Sequence, residues 1–330
     1  MNASHANDYC YLDQMRINDG ADKCRSTLSA LCKKDTPRAV TLLNDRRLMF
    51  PSLYILREPI MQQRMQRHLN QRNMAALQIA NQIKSANPFA ADARPPKLSS
   101  EYPVLKWILE TGYAEDISED EYEEILDVSA SVLINTYKDS DILPLVVELL
   151  FKRNRTGSHI HDLVWALFRF HSPQTLKLIA QRLRSSDPKD AALASELLNL
   201  DKTDVAAADD ADENRYEGYL HWLEENEPYL YFTEESFQYA SKPMFYAVDL
   251  ERKYLQKGLS SHDQESLSAL ADEESERLAA FQELSGEEQK ILSEYSHKLC
   301  GKSIPAWKEW LYTPIREQIK ATKARTEGEA

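Results

Sequence analysis

The sequence has 330 residues, 42% of them hydrophobic, and a formal net charge of −13 at pH 7. That apolar content is enough for a sizeable core, so the composition excludes a chain that is disordered throughout. The charge is uneven: residues 1–97 hold 15 Lys and Arg against 8 Asp and Glu, a net +7, and the remainder holds 25 against 45, a net −20. So acidic a body argues against nucleic acid as a partner, because cationic side chains must meet the phosphates.

Glycine is scarce, with 8 residues, and long alternating runs of Val, Ile and Thr are absent. Both features favour an all-α fold over a sheet protein. The chain also lacks the glycine-rich loops and the catalytic sequence motifs that would indicate nucleotide binding, hydrolysis or metal-dependent proteolysis. We therefore expect no cofactor and no catalytic residue.

The cysteines and the apolar segments indicate the cellular compartment of the protein and whether it inserts into a membrane. Cys10, Cys24, Cys32 and Cys300 form no CxxC pair and no zinc-ligand spacing with histidine, so we expect free thiols and no metal site. The first residues lack an apolar signal core, and the longest apolar run, at 142–151, is too short to span a bilayer. The sequence predicts a soluble, cytoplasmic protein without membrane insertion.

Residues 1–86 are predicted to form a basic helical region. The first 20 are expected to be loosely ordered, followed by short helices at 22–32 and from Pro37, and by one long helix from about Pro59 to Ala86. That helix has a thin apolar stripe with two methionines, and the cations beside it are Arg64, Arg67 and Arg72. A Met-rich stripe on a basic helix can dock a flexible partner surface; the alternative is packing on the next helices of the same chain.

Composition then divides the rest of the chain. The prolines in residues 87–100 predict a linker, and residues 101–200 are predicted to form a helical core. An acidic connector at 201–213 separates this core from residues 214–330, which hold a tyrosine-rich segment and C-terminal helices.

Within the core, residues 118–200 show apolar positions at helical spacing. Ser118 and Glu121 have the spacing of a capping box, and Ser158 is expected to cap a later helix. The apolar positions recur after 33 residues: the earlier set is Ala130, Leu133, Ile134, Tyr137, Leu143, Val146, Val147 and Leu150, and the later set is Leu163, Ala166, Leu167, Phe170, Leu176, Ile179, Ala180 and Leu183. A fixed offset of this kind is typical of stacked helical repeats.

This pattern, and most closely the phrase SDPKDAALASELL, resembles HEAT-like repeats. The resemblance implies an α-solenoid core of about two and a half units at residues 118–200. An ordinary helical bundle with two similar hairpins is the alternative. Outside these residues the chain resembles a bacterial family from which no activity can be transferred.

A cationic cluster is the most distinctive local feature of the core. It contains Lys152, Arg153, Arg155, His159 and His161, ahead of a helix N-terminus that favours an anion. A phosphate or an acidic side chain fits such a site. The alternative is a solvated loop whose cations meet the acidic body. The two histidines do not share a helix face, so a metal is not expected.

Residues 214–258 are rich in aromatic side chains. Helical period weakens after Pro228, and the following stretch looks extended, which is compatible with a short β-hairpin. These aromatic residues either close the end of the solenoid or contact a partner protein. The candidates for partner contact are Tyr229, Tyr231, Phe237, Tyr239, Phe245 and Tyr246.

These observations predict a non-enzymatic protein-binding scaffold or adaptor, part of a larger protein assembly. The enzyme alternative is a nucleic-acid enzyme of the HEAT-like DNA glycosylase type. It would use Asp162 and Trp165, because glycosylases of that type use an acid and a tryptophan on a helical surface. A contiguous positive surface around the cationic cluster would favour the enzyme, and an acidic one the scaffold.

Overall fold

The computed structural model describes residues 9–85, 101–113, 117, 119–200, 212–258 and 272–329. Within these ranges the chain is mostly helical, with one two-stranded sheet, so the all-α prediction is confirmed. It divides into two compact units, Met1–Phe170 and His171–Ala330, called here the first and second unit. The HEAT-like solenoid stays a prediction. The predicted linker at 87–100 lies outside the described residues, as do Ser118 and residues 201–211 of the predicted connector.

The described part of the first unit is built from helices joined by short turns. They are α1 (Tyr11–Asp19), α2 (Ala21–Lys34), α3 (Thr36–Leu43), α4 (Phe50–Ile55), α5 (Arg57–Gln62), α6 (Gln71–Ser85), α7 (Tyr102–Gly112), α8 (Asp120–Ser131), α9 (Leu143–Thr156) and α10 (His161–Arg169). A single π turn, Val132–Thr136, extends α8. The apolar stripes predicted in this unit are buried: Leu143, Val146, Val147 and Leu150 are all 2% exposed or less.

Residues 11–19 are better ordered than the sequence suggests. Loose order was expected through residue 20, and this is wrong for α1, whose Leu12 and Met15 are buried. The Asp13 carboxylate accepts hydrogen bonds from the Cys10 thiol and from the Met49 backbone N–H. These contacts tie α1 to the start of α4, which local sequence could not reveal.

The prediction of one long helix from Pro59 to Ala86 is also wrong, because a turn interrupts the helical structure in the middle of this range. Arg64 adopts a left-handed conformation with φ 55°, and a 3-10 turn, Met65–His68, precedes α6. The side chain of Asn44 holds this turn by accepting from the Asn70 N–H and donating to the His68 carbonyl. The result is two helices, α5 and α6, with a turn between them.

The second unit contains two groups of helices and a hairpin. Its elements are α11 (Pro173–Ala180), α12 (Pro188–Leu197), α13 (Asp212–Asn226), β1 (Leu230–Phe232), β2 (Tyr246–Val248), α14 (Leu250–Leu255), α15 (Asp272–Gln282), α16 (Gly286–Lys302), α17 (Ile304–Leu311) and α18 (Ile315–Glu329). The strands pair antiparallel with Leu230 opposite Val248, so the short hairpin is confirmed. Ser285 and Glu288 form a capping box at the start of α16.

Two sets of contacts support the second unit, hydrogen bonds around the hairpin and an apolar cluster near the C-terminus. Around the hairpin, the Tyr246 hydroxyl donates to the Leu198 carbonyl (2.6 Å) and lies 2.9 Å from the Tyr219 hydroxyl. The C-terminal cluster comprises Tyr254, Leu255, Leu278, Phe281, Leu292, Trp310 and Leu311. None of the described helices in either unit is both long and apolar enough to cross a membrane.

Candidate functional site

The cationic cluster lies on two different elements. Lys152, Arg153 and Arg155 belong to the last turns of α9, and His159 and His161 stand at the start of α10. Ser158 does not cap α10: its N–H bonds to the Arg153 carbonyl and closes the C-terminal end of α9. That expectation was wrong because Gly157, at φ 78°, ends α9 with a Schellman turn that draws in Ser158.

Arg153 is the buried member of this cluster. Its side chain is 5% exposed and pairs with Asp127 at 2.6 Å. The guanidinium also donates to the Glu123 and His159 carbonyls. Burial raises the pKa of Asp127, and Arg153 opposes that rise. Arg153 therefore joins α9 to α8, and the prediction of anion binding rests on the other four members.

Acidic side chains neutralise part of the charge in and around the cluster. Arg155 pairs with Glu148 at 3.3 Å, and the Lys152 ammonium donates to the Tyr113 carbonyl. On the exposed face of α10, Trp165 stacks with Arg169 at 4.6 Å. Burial first, and then the charge of the exposed Asp162, raises the pKa of Glu124. The described surface here is a mixture of both signs.

A large apolar groove lies between α5, the 3-10 turn and α6. Its volume is about 620 Å³, and we call it the Met groove. Its apolar lining is Met61, Leu69, Met74, Leu77 and Ala80. Met61 is 53% exposed and Met74 39% exposed, although large apolar side chains on soluble domains are usually covered. The break at Arg64 creates this concave surface, which a continuous helix could not.

The polar lining of the Met groove contains three cations, one acid and four amides: Arg57, Arg67, Lys84, Glu58, Gln62, Gln66, Gln78 and Asn81. Two of the cations have acidic neighbours outside the groove. Arg57 lies 3.2 Å from Glu119, and Lys84 lies 2.7 Å from Glu121. The groove is thus an apolar trough with a mainly cationic and amide edge.

The three arginines predicted to flank the Met stripe occupy different places. Arg67 lines the Met groove, and Arg64 is exposed in the turn beside it. Arg72 instead faces inward: it donates to the carbonyls of Asp45 and Arg46 and stacks over Trp107 at 4.3 Å. Burial lowers the pKa of Arg72. Arg64 and Arg67 therefore lie at or beside the groove. Arg72 instead packs against Trp107 within the first unit.

The aromatic candidates divide in the same way. Tyr229, Phe245 and Tyr246 are 5% exposed or less and belong to the interior of the second unit. Phe237 is half-buried against Phe245. Tyr231 and Tyr239 are 41% and 84% exposed. Partner contact by this segment stays a prediction, and these two exposed tyrosines are the side chains able to make it.

A buried polar cluster in the second unit was missed by the sequence reasoning. Lys253 is fully buried and donates to the side chains of Asn226 (2.7 Å) and Glu294 (2.5 Å). Next to it, His297 Nδ1 lies within 3.4 Å of the Tyr229 hydroxyl. One signal was available: Lys253 stands three residues after Leu250 and so falls on the apolar face of α14.

Among the described residues, no group of three or more His, Cys, Asp or Glu side chains is arranged to hold a metal ion. The four cysteines are free thiols, and Cys10, Cys24 and Cys32 are buried. Burial, followed by the hydrogen bond to Asp13, raises the pKa of Cys10 to about 12, so that this thiol is not a nucleophile near neutral pH.

Comparison with known proteins identifies no relative: no protein-family model, no curated protein and no solved structure matches the chain.

Proposed function

We propose that the protein is a non-enzymatic adaptor within a larger protein assembly, and that the Met groove is its docking site. The observation that carries this proposal is the open apolar trough with two exposed methionines. Methionine is flexible and polarisable, and it lines surfaces that accept apolar segments of varied shape. A groove between two helices of this kind fits one face of a third helix.

The charge of the region indicates which helix would dock. Arg67 lines the groove, Arg64 is exposed in the turn beside it, and residues 1–97 carry 15 Lys and Arg against 8 Asp and Glu. An amphipathic helix with an acidic polar face would therefore gain favourable electrostatics at the edge and apolar burial in the trough. The mixed charge around Asp162 and Trp165 gives the enzyme alternative less support.

A defined peptide tests the proposal directly. The probe is a fluorescent amphipathic helix with leucines on one face and glutamates on the other, compared with the same peptide carrying lysines. Fluorescence anisotropy with the full chain should show the glutamate peptide binding at least about tenfold more tightly, a difference near 1.4 kcal/mol. Equal affinities would contradict the proposed charge preference.

Substitutions locate the binding site. Met61→Glu together with Met74→Glu should weaken binding of the glutamate peptide at least about tenfold, because both place charge in the trough. Ile17→Glu is the matched control, since Ile17 is 47% exposed on α1 and does not line the groove. If the Ile17 variant lost as much affinity as the double variant, the Met groove would not be the docking site.

A photo-crosslinking amino acid at Gln62 or Gln78 extends the test to the native partner. The adaptor proposal would be supported by a crosslink to an acidic amphipathic segment of another protein. That crosslink should form from these two positions and not from Ile17. A crosslink to a second copy of this chain would replace the adaptor proposal with a homodimer.

A further inference from the structure

The Met groove brings together the exposed methionines of the described chain. All methionines except Met1 lie within the described ranges, and two of them are exposed, Met61 at 53% and Met74 at 39%. The other four are buried or partly buried: Met15, Met49, Met65 and Met244. Met61 on α5 and Met74 on α6 line the same groove. The thioethers that a dissolved oxidant reaches most readily are therefore the ones that a docking helix would cover.

The sulfur of Met61 has a defined polar neighbour. The Gln66 side-chain amide donates a hydrogen bond to Met61 Sδ, with 2.8 Å between Nε2 and the sulfur. Thioether sulfur is a weak acceptor, whereas a sulfoxide oxygen is a strong one. One lone pair of the sulfur accepts this bond, and the other remains available for reaction. An amide donor thus already lies beside the position that the oxygen of an oxidised Met61 would take.

Oxidation of these side chains is a balanced two-electron reaction with hydrogen peroxide. The sulfur lone pair attacks one peroxide oxygen, an S–O bond forms and the O–O bond breaks. The second oxygen leaves as water, taking both protons of the peroxide. Sulfur is oxidised and the peroxide is reduced. The product is a polar, chiral side chain in place of a flexible apolar one.

We propose that Met61 and Met74 form a methionine-oxidation site, and that their conversion to sulfoxides by a peroxide releases the ligand of the Met groove. This inference rests on the docking function proposed above. An apolar helix face that covers the sulfoxide oxygens takes them out of water and offers them no hydrogen-bond donor, so affinity falls. Both side chains lie outside the core, and their oxidation therefore leaves the fold intact. Methionine sulfoxide reductases, which draw electrons from a dithiol, restore the thioethers and with them the groove.

Cysteine thiols compete for a peroxide according to their thiolate content and exposure. Cys10, Cys24 and Cys32 are buried. Burial, the largest cause, raises the pKa of Cys24 to about 11, so this thiol carries little thiolate near neutral pH. Cys300 is half-buried, and a sulfenic acid or disulfide formed there is reduced by dithiothreitol, which leaves methionine sulfoxide unchanged. A dithiothreitol step therefore separates oxidation of the methionines from oxidation of the thiols.

Peptide mapping by mass spectrometry tests the site itself. The full chain is treated with hydrogen peroxide for increasing times, and each sample is then quenched with catalase and reduced with dithiothreitol. Met61 and Met74 should be oxidised at least about tenfold faster than Met65, because Met65 lies in the adjoining turn but is 3% exposed. Equal rates at the three positions would overturn the proposal, whatever the groove binds.

Fluorescence anisotropy with the glutamate peptide tests the consequence. Once Met61 and Met74 are oxidised, affinity should fall at least about tenfold, and treatment with methionine sulfoxide reductases should restore it. Circular dichroism should show an unchanged thermal midpoint; a lowered midpoint would assign the loss to unfolding and contradict the proposal. If the untreated chain did not bind the peptide, the docking function would fail and this inference with it. If the untreated and the oxidised chain bound equally tightly, this inference alone would fail.

Met61→Leu together with Met74→Leu is the matched variant, because leucine is apolar and of similar volume but has no sulfur to oxidise. Its affinity before treatment is its own baseline. Peroxide should change that affinity by less than about twofold, against the tenfold loss in the wild type. A tenfold loss in the leucine variant as well would assign the effect to other side chains and overturn the proposal.

Discussion

Lys253 shows how one residue can set the electrostatics of a region. Its ammonium is fully buried and held by Asn226 and Glu294, so the interior of the second unit contains the positive charge of an ion pair with the Glu294 carboxylate. His297 lies close to that charge. Burial first, and then repulsion from Lys253, lowers the pKa of His297, although Glu294 and Glu225 act in the opposite direction. The imidazole is consequently neutral at pH 7 and can accept a hydrogen bond.

This arrangement predicts a loss of stability in mild acid. A histidine whose pKa is lowered by folding binds fewer protons in the folded than in the unfolded state, so its stabilising contribution is complete above about pH 6.5 and is lost as the pH falls below that value. Urea unfolding at pH 7.5 and 5.5 should show a smaller loss for His297→Gln than for the wild type. The exposed His161→Gln should behave as the wild type; if the His297 variant did so too, the explanation would fail.

At the scale of elements, the crossing of α7 and α8 depends on a missing side chain. The Tyr122 hydroxyl donates to the Gly112 carbonyl at 3.0 Å. A Cβ at Gly112 would lie 2.8 Å from Leu126 Cδ2 and 2.9 Å from the Tyr122 hydroxyl oxygen. Glycine therefore permits a close approach at this point, although it is a poor helix former.

Gly112→Ala should lower the free energy of unfolding by about 1–3 kcal/mol, because overpacking in a buried contact outweighs the gain in helix propensity. Gly301→Ala is the matched control. Gly301 is also helical, and a Cβ added there would have no described neighbour within 4 Å, so alanine should stabilise by up to about 1 kcal/mol. Chemical denaturation of both variants measures the difference; a stabilising Gly112→Ala would show that the two helices can separate freely.

The same scale shows what sequence could and could not predict. Helical period correctly identified the buried stripes of α9 and α11, since the spacing of apolar residues along one helix is a local property. The groove depends on Asn44, which acts on Asn70 from 26 residues away. Arg153 was predicted to bind an anion because its actual partner, Asp127, lies 26 residues away in the sequence and could not be identified from it. Such contacts depend on tertiary packing, which the periodicity of apolar residues along the sequence does not report.

For the whole molecule, the net charge of −13 opposes folding through repulsion among like charges. Salt screens exposed charges far more than buried pairs such as Arg153–Asp127. Raising NaCl from 20 to 300 mM should therefore stabilise the protein by roughly 1 kcal/mol and raise the thermal midpoint by about 2–4 °C. Differential scanning calorimetry provides the measurement. A midpoint that falls with salt would mean that surface ion pairs outweigh the repulsion.

The turn between α5 and α6 has a consequence for how the protein can diversify. The core of the first unit does not include the exposed methionines Met61 and Met74, and the Asn44 amide makes two hydrogen bonds to the turn, whose Met65 is buried. Substitutions at Arg64, Gln66 or Arg67 can thus alter the mouth of the groove with little effect on the buried scaffold. Binding preference and thermodynamic stability are consequently open to separate selection, and new specificities can arise here without compensating changes in the interior.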